Sequence, residues 1–194
     1  MGKGAETRER ILDQAVHIAS RDGLEGLTIG TLSSELGLSK SGLFAHFGSK
    51  DELQVQVLQS AVDRFTEVVI RPALAAPRGE PRIRALFENW LAWSNAPDRG
   101  CILVGASTEF DDRPGPQRDI LAKAFRDRSA FMAKAARLAV EAGHFRPDLD
   151  PEQFAFDLDA IVLGYHNTQR LMRNPKAGDL ARGSFERLLT FYKA

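Results

Sequence analysis

The sequence holds a single cysteine, Cys101, which excludes an internal disulfide framework and fits a reducing, cytoplasmic setting. A charge excess is missing too: 26 Lys and Arg stand against 26 Asp and Glu. The chain as a whole therefore has no electrostatic pull toward nucleic acid, and any such attraction must come from a local patch. No apolar run approaches the ~18 residues that a membrane-spanning helix needs. The opening MGKGAETRER leads straight into an amphipathic pattern, unlike a signal peptide, and lacks Ser or Thr at the myristoylation position. His17, His144 and His166 fall in no HxxH or Cys/His spacing, so neither a metal site nor a cofactor is expected.

Strand alternation is also absent, and what remains is helical periodicity. Ile11, Ala15, Ile18 and Ala19 recur at helical spacing from Thr7 to Arg21, and Gly23 follows where a left-handed cap is wanted. Thr28 suits the N-cap of a short helix through Leu36, and Gly37 allows a sharp turn. Ser39 caps the next helix, Lys40 to Phe47, and SKDE at 49–52 reads as a capping box opening a fourth. RPALAAPRGEP, 71–81, reads as a linker. Beyond it lie an amphipathic helix ending near SNAPDRG and a short CILVGASTEF segment that its neighbours favour as helix. A long helix then runs to about Ala142, another runs from a DPEQ cap to about Arg173, and a last one carries Phe185, Leu188, Leu189 and Tyr192. The expectation is an all-α chain: a small three-helix domain, 1–54, and a larger helical domain, 55–194.

The stretch LSKSGLFAHFGSKDEL, 38–53, is the most informative. With Leu43 centred on the inward face of its helix, Phe47 falls beside it one turn on, while Ser41 and Ala45 point the opposite way. Gly42 and Phe44 flank that face, with Lys40 near one end and Lys50 beyond the other. A slim outward face with cationic ends is what a helix entering the ~12 Å major groove of duplex DNA needs. His46 falls near the buried side by angle, where it serves equally as a core-edge residue or a phosphate donor. Residues 1–54 hold six cations against eight acids, a net −2, yet 38–50 contains no acid. Lys3, Arg8 and Arg10 read either as an arm reaching the DNA or as a solvated terminus.

TRERILDQAVHIASRDGLEGLTIGTLSSELGLSKSGLFAHFGSKDEL, 7–53, resembles the N-terminal domain of TetR-family transcriptional regulators. The matching positions are Thr28, Ser39, Lys40, Gly42, Leu43, His46, Phe47, Ser49, Lys50 and Leu53. EFDDRPGP, following a GC pair, also resembles the regulatory domain of one TetR subgroup. The resemblance implies DNA contact by Thr28, Ser39, Lys40, Ser41, Gly42, Phe44, Ala45, His46 and Lys50. It further implies a helical ligand-binding and dimerisation domain, a homodimer on a double-stranded operator, and a small-molecule effector. Three positions depart from the family pattern: Phe44 replaces its tyrosine, Ala45 a residue that is often aromatic or His, and Ala19 an aromatic.

For the larger domain, Phe87, Trp90, Trp93, Phe110, Phe125, Met132, Tyr165 and His166 are the candidates for lining an effector cavity, though most would serve equally as core. The apolar stripes Leu158, Ile161, Val162, Tyr165 and Phe185, Leu188, Leu189, Tyr192 exceed what a lone core needs, which predicts a four-helix dimer interface. Arg118, Lys123, Arg126, Arg128, Lys134 and Arg137 read as a solvated basic face, with attraction of an anionic ligand as the alternative. Glu109, Asp111 and Asp112 lack any nucleophile or base–orienter pair beside them, so an enzyme is not expected. A TetR-fold ligand-sensing or protein-interaction module without operator binding is the alternative.

Overall fold

The computed structural model describes residues 3–95 and 100–194, with side chains from Thr7 onward. Among these, every named element is helical. The chain divides into two compact units, Met1–Arg64 with Pro97–Ala124, and Phe65–Ala96 with Phe125–Ala194. The unit holding the first helices thus reaches past residue 54 and takes in a later stretch of chain.

In the first unit, α1 (Lys3–Asp22) is one continuous helix, so the basic residues at its start are helical. Arg8 is bonded to Gln56 Oε1 at 2.6 Å. Two short helices follow, α2 (Ile29–Leu36) and α3 (Lys40–Phe47), then α4 (Lys50–Phe65). Gly37, at φ 62°, makes the turn between α2 and α3. Ile11, Ala15, Leu24, Leu27, Leu32, Leu43, Phe47 and Leu53 are all buried.

The α1–α2 loop is held by side chains distant in sequence. From α7 (Ile102–Phe110), the Glu109 carboxylate accepts the N–H groups of Leu24, at 3.1 Å, and Glu25, at 2.7 Å. The fully buried Gln54 of α4 donates to the Leu24 carbonyl at 2.7 Å and accepts from Gln117 at 3.1 Å. Glu109 is therefore a structural clamp, holding the α1–α2 loop through two backbone N–H groups.

In the second unit the linker expected at 71–81 is partly helical. A π-helical turn, Thr66–Ile70, leads into α5 (Arg71–Ala73), and α6 spans Glu80–Ser94. The α6 start has no capping side chain of its own. Instead His144 Nδ1 accepts the Glu80 N–H at 3.2 Å. Gly79 permits this approach, because at φ 93° a Cβ there would lie 2.1 Å from His144 Nδ1. After Ser94 the expected stop at SNAPDRG continues into 96–99, which lie outside the described residues.

The long helix α8 (Pro116–Glu141) has residues in both units. Next come α9 (Pro151–Arg170) and α10 (Ala177–Tyr192), packed on each other. The DPEQ cap is present: Asp150 accepts the N–H groups of Glu152 and Gln153. The far end of α9 falls three residues short of the expected Arg173. There the Asn167 carbonyl takes the N–H groups of both Leu171 and Met172, and Arg173 turns left-handed at φ 50°.

Packing corrects the expected dimer stripe. Leu158, Val162, Tyr165, Phe185, Leu188, Leu189 and Tyr192 are buried by this chain alone, and Ile161 is half-buried. Phe185 stacks on Phe87 at 3.9 Å, and Tyr192 meets Phe154 edge-on at 5.6 Å. Periodicity identified a buried face correctly, but the chain's own core is what buries it. Phe156, Leu180 and Phe191 remain exposed on these helices.

Candidate functional site

The helix pair α2–α3 is built on local hydrogen bonds. Thr28 Oγ1 accepts the Thr31 N–H at 3.0 Å, and Thr31 Oγ1 accepts the Thr28 N–H at 2.9 Å, a reciprocal box with threonine in the usual Glu/Gln position. Ser39 Oγ accepts the Gly42 N–H at 3.1 Å. A Cβ at Gly42 would sit 3.0 Å from that oxygen, which favours glycine there. Of the three hydroxyls named as DNA contacts, those of Thr28 and Ser39 are thus already engaged in capping.

On α3, Leu43 and Phe47 are buried, while Ser41, Phe44, Ala45 and His46 are exposed. The slim outward face is present as expected. Of the two readings of His46, the core-edge one does not hold: it stands in solvent, its ring centroid 6.2 Å from that of Phe47. Phe44 is 56% exposed, an uncovered aromatic on the flank of this surface.

The charge pattern differs from a linear reading. Lys50 Nζ is ion-paired to Glu25 Oε1 at 2.8 Å, and Arg113 reaches the other oxygen of Glu25 at 3.3 Å. The hydrogen bond from Lys50 holds the Glu25 carboxyl below its ordinary range. An acid 25 residues upstream therefore neutralises one end of a segment that contains none. Lys40 is exposed, and its stem passes near Gly30 at the first turn of α2.

The effector candidates do not form one set. Phe110 belongs to the first unit; the other seven belong to the second. Phe87 and Met132 are wholly buried core, and burial raises the Tyr165 phenol. Trp90 and Trp93 stand edge-on to Phe65 at 5.6 and 5.8 Å. Over Trp90 and Phe125 lies the guanidinium of Arg128, at 4.7 and 4.0 Å from the ring centroids, held by Asp159 at 2.6 Å. Burial is the main cause lifting the Asp159 carboxyl above its ordinary value, opposed by Arg128. His166 is shifted the other way, its imidazole pushed down by burial and then by Arg170.

Arg128, read from sequence as part of a solvated face, is only 8% exposed. Its place on the stripe Leu121, Phe125, Met132 was the available signal, since 125, 128 and 132 fall on one helical side. Phe65 and Asp159 were missed outright. Among the described residues no group of three or more His, Cys, Asp or Glu could hold a metal. Cys101 is buried.

Comparison with known proteins completes the picture. Residues 11–57 match the model for bacterial regulatory proteins of the tetR family. Residues 79–185, more than half of the chain, match the tetracyclin repressor-like C-terminal domain. The chain belongs to the TetR family. Within it, the HTH-type transcriptional repressor AcnR of Corynebacterium jeikeium is 31% identical over 64 residues, 33% of this chain and 34% of AcnR. The match thus spans about a third of that repressor's length. A TetR regulator from Chloroflexus aurantiacus superposes with a TM-score of 0.86 at 24% identity, covering 98% of this chain and 96% of that one. A transcriptional regulator from Saccharomonospora viridis, solved with choline, gives 0.84 at 23% identity, covering 98% and 99%. These likenesses extend the TetR fold over nearly the whole chain. TetR proteins are transcriptional regulators rather than enzymes, in keeping with Glu109 serving as a backbone acceptor.

Proposed function

We propose that this chain is a ligand-responsive transcriptional repressor of the cytoplasm, binding a palindromic double-stranded operator as a homodimer and released from it by a small molecule. The observation that carries the reading is the outward face of α3, where Ser41 and Ala45 are exposed above buried Leu43 and Phe47. In a dimer, two such helices would enter successive major grooves ~34–36 Å apart. Lys40, Lys50, His46 and the first turns of α2 and α3 would position phosphates, with Ser41, Gly42, Phe44 and Ala45 facing the bases. The exposed Phe156 and Leu180, with half-buried Ile161, supply an apolar surface on α9 and α10 for a second copy. Release by an effector follows from its preference for the non-binding conformation; a hundredfold loss of affinity needs about 2.7 kcal/mol of differential binding.

A gel shift with the DNA upstream of its own gene tests the reading. Lys40→Ala weakens binding evenly across sequences and lowers the salt slope by about one. Glu25→Ala strengthens it by releasing Lys50. Absence of a shift at any salt concentration overturns operator binding. The second reading, a TetR-fold sensor without operator contact, draws support from the Lys50–Glu25 pair and the uncovered Phe44.

A further inference from the structure

We propose that the effector is an apolar molecule presenting hydrogen-bond acceptors, a carboxylate or a carbonyl, to Trp90 and Trp93, and that organic cations are rejected. This deepens the effector-binding reading above and rests on it. The first observation is a set of buried polar atoms without partners: the indole nitrogens of Trp90 and Trp93, and Nδ1 of His166. Trp90 is 1% exposed. An indole N–H can only donate, so what completes it must accept. Buried donors are nearly always satisfied in folded proteins, and here two lie on neighbouring turns of one helix, both flanking Phe65, without a partner.

The second observation concerns the aromatic faces. A quaternary ammonium is recognised by the faces of Trp, Tyr and Phe. Here the faces of Trp90 and Phe125 already carry the chain's own cation, Arg128. The nearby carboxylate, Asp159, is engaged by that same guanidinium. A ligand cation would meet an occupied face, a like charge and a committed acid. An acceptor group meets two waiting N–H donors and a guanidinium that favours negative charge.

The chain's two tryptophans are the two in question, so selectively excited tryptophan emission of the full protein comes from these two residues. Titration with octanoate, 2-octanone and octyltrimethylammonium compares acceptor and cation on one chain length. The first two shift the emission saturably, with affinities at least ~10-fold tighter than the ammonium. Trp93→Phe, which keeps the ring and removes the donor, weakens 2-octanone by about fivefold. Arg128→Met bares the aromatic faces and improves octyltrimethylammonium by about tenfold. Ammonium binding as tightly as octanoate to the native chain overturns the proposal. So does an unchanged 2-octanone affinity in a Trp93→Phe variant that melts like the native chain, or silence with all three probes. An operator gel shift without ligand is run alongside. A retained shift with no probe binding defeats this inference alone, and the expected probe order without any shift defeats operator binding alone.

Discussion

The two units handle polar side chains differently. Around α2 and α3 the bonds are short in sequence: Thr28 with Thr31, Ser39 with Gly42, Ser49 with Glu52. In the other unit the helices are also joined by long ones: Arg128 to Asp159, Arg84 to Glu186, Arg182 to Glu88, and His144 to Glu80. Local caps define short helices from within and leave their outer face open for a partner. Distant pairs instead tie one helix to another. The clamp of Glu109 and Gln54 on the α1–α2 loop, like the pairing of Lys50 and Arg113 with Glu25, is a long-range device serving the locally built pair.

The largest test of this contrast lies under α3. Phe47→Ala removes a buried ring from the short-helix unit and lowers stability by about 3–5 kcal/mol in denaturant unfolding; a loss below ~1 kcal/mol would mean α3 is not braced from within. Arg128→Met strips the partner from a mostly buried carboxylate and costs about 3 kcal/mol, of which Asp159→Asn in the same chain returns at least half. If the double variant is no better than the single, the pair is not the long-range tie described. Glu109→Gln keeps one acceptor for two backbone donors and costs about 1–2 kcal/mol, read as a lower melting temperature. Equal stability would reduce the clamp to an incidental contact.

Acidity gives the smallest effect and separates two groups of the second unit. His166 has a depressed value in the folded chain, so the unfolded chain takes its proton first as pH falls below about 6.5, and stability declines from there. Asp159 has a raised value, so its folded form takes a proton first, and that contribution grows as pH falls toward its ordinary range. His166→Phe should flatten the decline between pH 6.5 and 5.5 in stability curves; an unaltered slope assigns it to another group.

What was legible in the sequence follows the reach of each bond rather than the unit it lies in. The starts of α2, α3 and α9 were readable to the residue, since Thr28, Ser39 and Asp150 act on backbone two or three positions away. Leu43 and Phe47 inward with Ser41 and Ala45 outward followed from helical angle alone. Glu25 as the partner of Lys50 could not be read, because the pairing depends on how the α1–α2 loop folds back. The stripe on α9 and α10 shows why periodicity stops short: it marks a face as buried without saying whether its own chain or another buries it.

The sharing of Glu25 between Lys50 and Arg113 bears on how such a protein would search a chromosome. Loose, sequence-blind adhesion to DNA scales with the number of unneutralised cations. A head with part of its positive charge satisfied at home lingers less on the millions of wrong sites, and leaves residence to be decided by shape.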